Sequence, residues 1–113
     1  MSDCLFCKIV AGEIPSEKVI ETDGALAFRD INPGAPTHVL VIPKEHVGSS
    51  HELTRARDGL LGEVFEVIAQ VAEQEGIADG YRVVTNIGAK AGQSVFHLHF
   101  HVVGGRPLSW PPG

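Results

Sequence analysis

The segment HLHFHVVGG, residues 97–105, places His97, His99 and His101 at every second position. Side chains alternate between the two faces of a strand, so the three imidazoles are predicted to share one face. The intervening apolar residues are predicted to face the core: Leu98, Phe100 and Val102. A neutral imidazole is a nucleophile and a proton carrier near neutral pH, because its reference pKa is about 6.5. The row therefore indicates polar chemistry on one face of a strand.

Three interpretations of this histidine row compete. The first is a polar solvent face that is histidine-rich by chance. The second is one shared metal ion, but strand geometry separates His97 from His101 by about 13 Å, too far for bonds of about 2.1 Å, so only neighbours such as His97 and His99 could share an ion. The third gives the histidines different roles, one attacking while a neighbour donates to a developing oxyanion. Gly104 and Gly105 would then let the backbone turn or approach a ligand closely.

A second motif is the C-x-x-C formed by Cys4 and Cys7, the two cysteines of the chain. In a reducing compartment this spacing is typical of a metal half-site or a redox pair. A structural zinc site needs four ligands, so two histidines would have to complete it. Two free buried thiols are the alternative, whereas a thioredoxin-like pair lacks the preceding strand.

The composition limits the class of protein. A length of 113 residues predicts one domain, residues 1–113, around one hydrophobic core. The net charge of −5 argues against nucleic acid and membrane surfaces as partners. No apolar run is long enough to cross a bilayer and the start is polar, so a cytoplasmic location is expected.

The elements that must position these residues are predicted from hydrophobic spacing. Strands are expected at residues 17–22, 25–30, 38–43, 81–86 and 95–103, with a hairpin turn at Asp23–Gly24. One helical region is expected from Ser49 to Gly76, with a capping box formed by Ser49 and Glu52 and a terminal glycine at Gly76. Its predicted apolar stripe is Leu60, Leu61, Val64, Val67, Ile68, Val71 and Ala72. The order predicts an α+β fold, a five-stranded, mainly antiparallel sheet with one main helix on a face.

Several motifs together resemble a known family. HLHFHVV has the His-x-His-x-His-x-x pattern of the histidine triad superfamily of nucleotide hydrolases and transferases. LAFRDINPGAPTHVLVIPKEH (26–46), GYRVVTNIG (80–88), GQSVFHLHFHVVGGR (92–106) and WPPG (110–113) resemble its histidine triad nucleotide-binding branch, the purine nucleoside phosphoramidases. The resemblance covers nearly the whole chain. It implies hydrolysis of a purine nucleoside phosphoramidate through a nucleotidyl-histidine intermediate.

The resemblance also assigns roles to residues. It implies that His99 attacks the α-phosphorus and that His101 hydrogen-bonds the phosphoryl or leaving group. It implies further catalytic or orienting contacts from His38 and Ser94. The nucleotide-binding set implied by the family match, together with the glycine-rich loop 88–94, is Phe28, Asp30, Ile31, Asn86, Gly92, Gln93, Ser94 and His101. Within it, Asp30 is expected at the ribose and Phe28 and Ile31 at the base; from the residues alone, Asp30 equally suits a turn.

The relatives that this chain resembles also imply a cofactor and partners. The implied structural zinc ligands are Cys4, Cys7, His46 and His97, with no organic cofactor. The implied partners are a purine nucleotide, AMP or GMP, and a second copy of the chain, with Trp110 near the contact. His51 has no matching role and is expected at the surface. The alternatives are a dinucleoside polyphosphate hydrolase, a nucleotide-binding module with little catalysis, and a zinc-binding protein without a nucleotide.

Overall fold

A computed structural model describes residues 3–55 and 58–113, and at Arg55 it describes the backbone only. The predicted five-stranded antiparallel sheet is confirmed, with strand order β1-β2-β3-β5-β4. In chain order the elements are α1 (Leu5–Val10), β1 (Lys18–Glu21), β2 (Ala25–Arg29), β3 (Thr37–Pro43), a 3-10 helix (Ser50–Arg55), α2 (Leu60–Gln74), β4 (Tyr81–Val84), a second 3-10 turn (Ala89–Ala91) and β5 (Phe100–Gly104). No helix within the described ranges is long and apolar enough to cross a membrane.

The hairpin between β1 and β2 forms where it was predicted. The turn around Asp23–Gly24 is closed by the Thr22 N–H, which donates to the Ala25 carbonyl at 2.9 Å. Strand β2 then pairs with β3 in register, and β3 pairs with β5. These two ladders bring the end of β2, the start of β3 and the middle of β5 side by side, which positions the polar cluster described below.

Helix α2 packs on one face of the sheet. Its buried residues match the predicted stripe except for Leu61, which is 40% exposed. Gly76 ends the helix as predicted, with a φ of 73° that a residue without a Cβ adopts readily. The Ile77 N–H bonds the Ala72 carbonyl and the Gly76 N–H bonds the Glu73 carbonyl, which is a Schellman motif.

The N-terminal half of the predicted helical region differs from the prediction. Residues Ser50–Arg55 form a 3-10 helix rather than the first turns of α2. The predicted capping box is wrong, because the Ser49 hydroxyl accepts from the His51 N–H at 3.3 Å while the Glu52 N–H bonds the Ser49 carbonyl. The junction at residues 56–57 lies outside the described ranges.

The opposite face of the sheet carries a helix that the sequence analysis missed. Helix α1 packs Phe6 and Ile9 onto Leu26, Phe28, Leu40 and Ile42, which form a second apolar cluster. With six residues, α1 is too short to give a helical period, although the spacing of Phe6 and Ile9 is that of one helix face. The face that carries the histidines is therefore covered in part.

Strand β5 is shorter than predicted, because residues 95–99 leave the ladder. The β3–β5 register runs from Thr37 opposite Gly104 to Val41 opposite Phe100. Two residues further along, β3 ends at Pro43, which has no N–H to offer the ladder. The chain is held instead by irregular bonds, such as the Leu98 N–H to the Val47 carbonyl at 2.6 Å.

The predicted alternation of side chains survives this irregularity. Leu98, Phe100 and Val102 are buried against α2, as expected. The interpretation of the histidine row as a polar solvent face is wrong, because His97 is fully buried and His99 is only 6% exposed. After β5, Gly105 lets the backbone turn as expected, with a φ of 93°. A Cβ on Gly104 would lie 2.9 Å from Ile77 Cδ1 and one on Gly105 would lie 2.9 Å from Pro36 Cβ, so both glycines also have close neighbours. They permit close packing within the protein.

Candidate active site

His99 is held in one tautomer by the chain itself. Its Nδ1 lies 2.8 Å from the main-chain oxygen of His97. A carbonyl oxygen only accepts, so Nδ1 carries the hydrogen and Nε2 of neutral His99 keeps its lone pair. His99 lines a pocket with this ring and is therefore presented as a nucleophile or a base.

The same reasoning fixes His97 in the opposite sense. Its Nε2 lies 2.8 Å from the Pro43 carbonyl and therefore carries the hydrogen. Its Nδ1 keeps the lone pair, which points at Cys4, Cys7 and His46. Burial, as the largest cause, lowers the pKa of His97, so that the ring is neutral at pH 7. His97 and His99 thus have opposite tautomers, and their free nitrogens face different groups.

His101 belongs to a third arrangement. The Gly34 N–H donates to His38 Nδ1 at 2.9 Å, and His38 Nε2 lies 2.9 Å from His101 Nδ1. His38 Nδ1 is an acceptor, so Nε2 carries the hydrogen of the neutral ring and donates it to His101. Neutral His101 then carries its own hydrogen on Nε2, where it is a donor. Its ring lies 5.1 Å from the His99 ring between centroids.

Asp30, His38 and His101 are close enough to hold an ion, since one ligand atom from each lies within 4.8 Å of the others. The hydrogen bond from Gly34 argues against that use. With Nδ1 accepting the Gly34 N–H, a metal on Nε2 would require a fully deprotonated imidazole or the loss of that bond. The three residues are better described as a hydrogen-bonded set, with Asp30 Oδ2 3.4 Å from His38 Nε2.

The electrostatics favour a neutral His101. Burial is the largest cause that lowers the pKa of His101, and the neighbouring imidazoles of His99 and His38 lower it further. The Asp30 carboxylate acts in the opposite direction and is the smallest of these effects. His101 therefore offers a donor N–H beside the Nε2 lone pair that the neutral ring of His99 keeps.

These two rings open into a pocket of about 350 Å³. Its lining is mainly apolar, with residues from α1, β2 and β3, and its polar lining residues include Asp30, Ser94 and the two histidines. The lining residues are Leu5, Phe6, Ile9, Pro15, Ser16, Glu17, Phe28, Arg29, Asp30, Ile31, Leu40, Ser94, Val95, His99 and His101. An apolar pocket with a few convergent polar groups is the usual form of a small-ligand site.

The structure brings most of the predicted site residues together. Phe28, Asp30, Ile31 and Ser94 line the pocket with His99 and His101. Asp30 also makes the turn that the residues alone suggested, because its Oδ1 accepts from the Asn32 N–H at 2.8 Å. Ile31 is 91% exposed at the rim. His38 lies behind His101, and His51 is exposed, as expected.

Three predicted nucleotide contacts do not line the pocket: Asn86, Gly92 and Gln93. Gln93 is 4% exposed, and its amide donates to the carbonyls of Gly48 and Val95 while its Oε1 accepts from the Gly88 N–H. Both amide hydrogens are engaged, so in this conformation Gln93 braces the loop and does not offer a phosphate donor. The Gly92 N–H is likewise bonded to Ala89.

The sequence analysis missed the contribution of α1 to this site. Leu5, Phe6 and Ile9 line the pocket, and the Phe6 ring meets Phe28 edge-on at 5.5 Å between centroids. The sequence signal for a helix here was one apolar pair: Phe6 lies within the C-x-x-C motif, and Ile9 follows shortly after it. A motif that indicated only a metal therefore also carries part of a ligand pocket.

The four predicted metal ligands converge on one point. Cys4, Cys7, His46 and His97 each place one donor atom within 4.8 Å of the other three. Cys4 is the N-cap of α1, and its Sγ accepts from the Cys7 N–H at 3.3 Å, so both sulfurs lie at the start of the helix. His46 follows β3, and His97 is brought beside it by the irregular segment before β5.

The spacing of these donors fits a tetrahedral ion. Bonds of about 2.3 Å to sulfur and about 2.0–2.1 Å to nitrogen would separate S from N by about 3.5–3.6 Å and N from N by about 3.3–3.4 Å. Three of the four S···N distances lie between 3.4 and 3.6 Å, and the two Nδ1 atoms of His46 and His97 lie 3.2 Å apart. Burial raises the pKa of the Cys7 thiol and adjacent Cys4 adds to the effect, which a bound cation would reverse.

The fold and the site together define a class: a small α+β protein in which a tautomer-fixed histidine pair edges an apolar pocket, beside a Cys2His2 cluster. A family model described as the HIT domain matches residues 11–108, and the chain belongs to this family. It is the histidine triad superfamily to which the sequence motifs pointed.

Individual relatives agree with this assignment. The chain is 50% identical over 115 residues to a 14 kDa zinc-binding protein from Zea mays, covering 99% of this chain and 89% of that protein. It is 46% identical to Adenylylsulfatase HINT1 from Arabidopsis thaliana, with coverage of 99% and 78%. The crystal structure of a HIT family hydrolase from Legionella pneumophila matches 98% of this chain and 100% of that one, at a TM-score of 0.94 and 46% identity.

Proposed function

We propose that this protein is a hydrolase that cleaves purine nucleoside phosphoramidates through a nucleotide bound covalently to His99. One observation carries the proposal. The hydrogen bond from His99 Nδ1 to the His97 carbonyl leaves a free lone pair on Nε2, beside a donor N–H on His101, at the edge of an apolar pocket. The likeness to HIT family hydrolases supports the same reaction class.

The reaction follows from these two rings. His99 Nε2 attacks the α-phosphorus, the P–N bond breaks, and its electron pair leaves with the amine. The amine takes a proton, which His101 Nε2–H and the Ser94 hydroxyl would relay from solvent. His99 now carries positive charge, which the Nδ1–H bond to the His97 carbonyl stabilises. Water then attacks phosphorus and releases a proton to solvent through the same groups. The P–Nε2 bond breaks with its electron pair returning to His99, and the nucleoside monophosphate leaves.

The pocket accounts for the nucleoside part of the substrate. A purine ring is flat and largely apolar, and the walls formed by Phe6, Phe28 and Leu40 suit it. Asp30 lies at the polar edge, where a carboxylate can accept from a ribose diol. AMP and GMP are therefore the expected products.

Zinc is the proposed ion of the Cys2His2 cluster. The donor set of two sulfurs and two imidazoles in tetrahedral array favours zinc over harder cations. With four protein ligands the ion would be structural, tying α1 to His46 and His97. His97 would be its ligand through Nδ1 and is not available as a nucleophile. Cys4 and Cys7 are not joined by a disulfide, and free thiols that bind a metal are typical of a reducing compartment such as the cytoplasm.

A second candidate reaction is hydrolysis of adenylyl sulfate, which the name of the Arabidopsis relative suggests. The same attack by His99 would apply, with sulfate leaving instead of an amine. Dinucleoside polyphosphates are a further alternative with the same nucleophile. The three differ in the leaving group, because sulfate and phosphate depart as anions whereas an amine needs a proton.

The decisive experiment traps the intermediate. Rapidly quenched protein incubated with an adenosine phosphoramidate is expected to carry one AMP, mapped to His99 by mass spectrometry. His99→Asn is expected to form no adduct and to retain AMP binding. Parallel turnover of phosphoramidate, adenylyl sulfate and diadenosine polyphosphate ranks the substrates. An adduct elsewhere, or hydrolysis by His99→Asn at the wild-type rate, would exclude the mechanism.

We also propose that the protein is a homodimer. Strand β4 lies at an edge of the sheet and is only half-buried in the single chain, so its outer hydrogen-bonding groups are available for a second copy. Trp110 is 79% exposed, which is costly for the largest apolar side chain. Light scattering after gel filtration is expected to give twice the mass of 12.1 kDa.

A further inference from the structure

The backbone of Gly34 makes two hydrogen bonds, one to His38 at the candidate active site and one to Arg106 at the surface. Its N–H donates to His38 Nδ1 at 2.9 Å, and its carbonyl accepts from Arg106 Nη2 at 3.0 Å. Arg106 follows β5 and is exposed at the surface, whereas His38 is half-buried behind His101. A surface arginine is thus connected to the candidate active site through one glycine residue.

The sheet register explains why Arg106 reaches Gly34. Thr37 at the start of β3 pairs with Gly104 at the end of β5, so the loop before β3 lies next to the segment after β5. Gly105 has a φ of 93°, and a Cβ there would lie 2.9 Å from Pro36 Cβ. The missing side chain lets the two segments touch. Arg106 also bonds the Pro107 carbonyl, which restrains its guanidinium.

The hydrogen bond from the Gly34 N–H to His38 determines which nitrogen of His101 carries the hydrogen. With the Gly34 N–H on Nδ1, His38 donates from Nε2 to His101, which then carries its hydrogen on the pocket nitrogen. If the Gly34 N–H moves away, His38 can carry its hydrogen on Nδ1 instead. His101 would then donate to His38 and turn an unprotonated nitrogen towards the pocket. That nitrogen would repel the negative oxygens of a phosphoryl group.

We propose that Arg106 is a positioning residue, which holds Gly34 so that its N–H sets the tautomers of His38 and His101. The consequence for catalysis rests on the proposed function, whereas the tautomers themselves do not. Asp30 Oδ2, 3.4 Å from His38 Nε2, also favours a hydrogen on that nitrogen. Loss of Arg106 alone therefore shifts the tautomer population in part.

The test measures tautomers directly, by nitrogen-15 NMR of the histidine-labelled full chain at pH 7.5. The wild type is expected to show a protonated Nε2 and an unprotonated Nδ1 for both His38 and His101. Arg106→Ala is expected to give a mixture, and Arg106→Lys, which keeps a cationic donor, is expected to restore part of the wild-type pattern. Arg82→Ala is the matched control, because Arg82 also donates to a backbone carbonyl, that of Ser109, but does not contact Gly34 or His38.

A second pair of variants distinguishes the effect of the Gly34 N–H from the effect of changing the side chain at position 34. Gly34→Ala keeps the N–H, and its Cβ would meet His38 Nδ1 at an ordinary 3.8 Å. Gly34→Pro removes the N–H and is expected to shift the tautomers more than Arg106→Ala does. Phosphoramidate turnover, as kcat/KM, is expected to fall about threefold to tenfold in Arg106→Ala, the effect of one modest hydrogen bond.

Unchanged nitrogen shifts in folded Arg106→Ala would overturn the proposal, and so would a fall in turnover without a tautomer change. Because Arg106 is exposed, this variant is expected to fold even if Gly34→Pro does not. A wild type that shows the expected tautomers but no phosphoramidate turnover would contradict the proposed function and leave the assignment of Arg106 intact.

Discussion

The Phe6 ring stands edge-on to the His99 imidazole, with centroids 5.1 Å apart and planes at 88°. Phe6 lies between the two cysteines of the C-x-x-C motif, on a helix whose N-cap is Cys4. The segment that carries the Cys2His2 cluster therefore also places an aromatic ring against His99, the proposed nucleophile. A second link runs through His97, which contributes Nδ1 to the cluster and its carbonyl to the His99 Nδ1–H.

Substitution of Phe6 is expected to weaken nucleotide binding more than it slows chemistry. Phe6→Leu keeps an apolar side chain but loses the flat wall beside Phe28, so KM for a phosphoramidate should rise severalfold while kcat changes less. The expected loss of unfolding free energy is about 1 kcal/mol, as for similar core exchanges. Steady-state kinetics and denaturant unfolding measure both. A fall in kcat with constant KM would mean that the ring acts on His99 itself.

Loss of the metal cluster is expected to release α1. Cys4→Ser and Cys7→Ser should lower metal content and melting temperature, because an ion bound by the four proposed ligands would contribute to folding. Since α1 also lines the pocket, KM should rise as well, and a chelator should have the same effects on the wild type. Lys8→Ser, on the same helix but outside the cluster, is the control. Equal melting temperatures with and without metal would contradict the cluster's structural role.

Gln93 distinguishes a loop brace from a phosphate contact. Gln93→Ala is expected to lower the melting temperature without any nucleotide present, because it leaves the Gly48 and Val95 carbonyls and the Gly88 N–H unpaired. Each hydrogen bond lost here is worth about 0.5–1.5 kcal/mol, because Gly48, Gly88 and Val95 are only partly buried. Thermal unfolding measures this, and exposed Ser94→Ala serves as the neighbouring control. A phosphate contact alone would reduce nucleotide affinity and leave the nucleotide-free melting temperature unchanged.

The pH dependence of stability should report on His101. The folded protein holds the pKa of His101 below its ordinary value, chiefly by burial, with His99 and His38 adding to the effect and Asp30 opposing it. The stability this confers is complete above the unfolded pKa, about 6.5, and is lost as pH falls through the folded pKa, by at most about 1.4 kcal/mol per pH unit. Denaturant unfolding from pH 7.5 to 5.0 should therefore show a steeper loss for the wild type than for His101→Gln. Parallel curves would refute this.

Arg29 links β2 to the end of α2 through a two-pronged contact with Glu75, with both N–O distances at 2.9 Å. The hydrogen bonds to Arg29 lower the pKa of Glu75, so the stabilisation is present above the ordinary carboxyl pKa and is lost as pH falls through the folded value. Glu75→Gln is expected to cost about 1 kcal/mol at pH 7. Glu17→Gln is the control, because Glu17 is largely exposed and lies 3.3 Å from Arg29 Nε. Equal losses for both variants would contradict the special role of Glu75.

Much of the fold and part of the site were predictable from local patterns. The period of Val64, Val67, Ile68 and Val71 predicted α2, and the glycine at position 76 marked its end, because these features depend only on neighbours along the chain. The histidine alternation correctly sent Leu98, Phe100 and Val102 to the core. The four residues at the metal cluster came from the family resemblance, and the structure brings their donor atoms together.

Two features depended on the tertiary structure. One is that α1 covers part of the sheet face that carries the histidines, and the other is which ring nitrogen of each histidine keeps a lone pair. Pro43 ends the ladder beside the histidines, and α1 then covers His97 and His99, which no local period reveals in a six-residue helix. The tautomers of His97 and His99 depend on the carbonyls of Pro43 and His97, which accept from one nitrogen of each ring. The tautomer of His38 depends on the Gly34 N–H, which donates to its Nδ1. The sequence by itself determined that imidazoles would gather on one face. The family resemblance implied a different role for each ring, and the folded chain supplies the physical reason, because the chemistry open to a ring depends on the partner that contacts its other nitrogen.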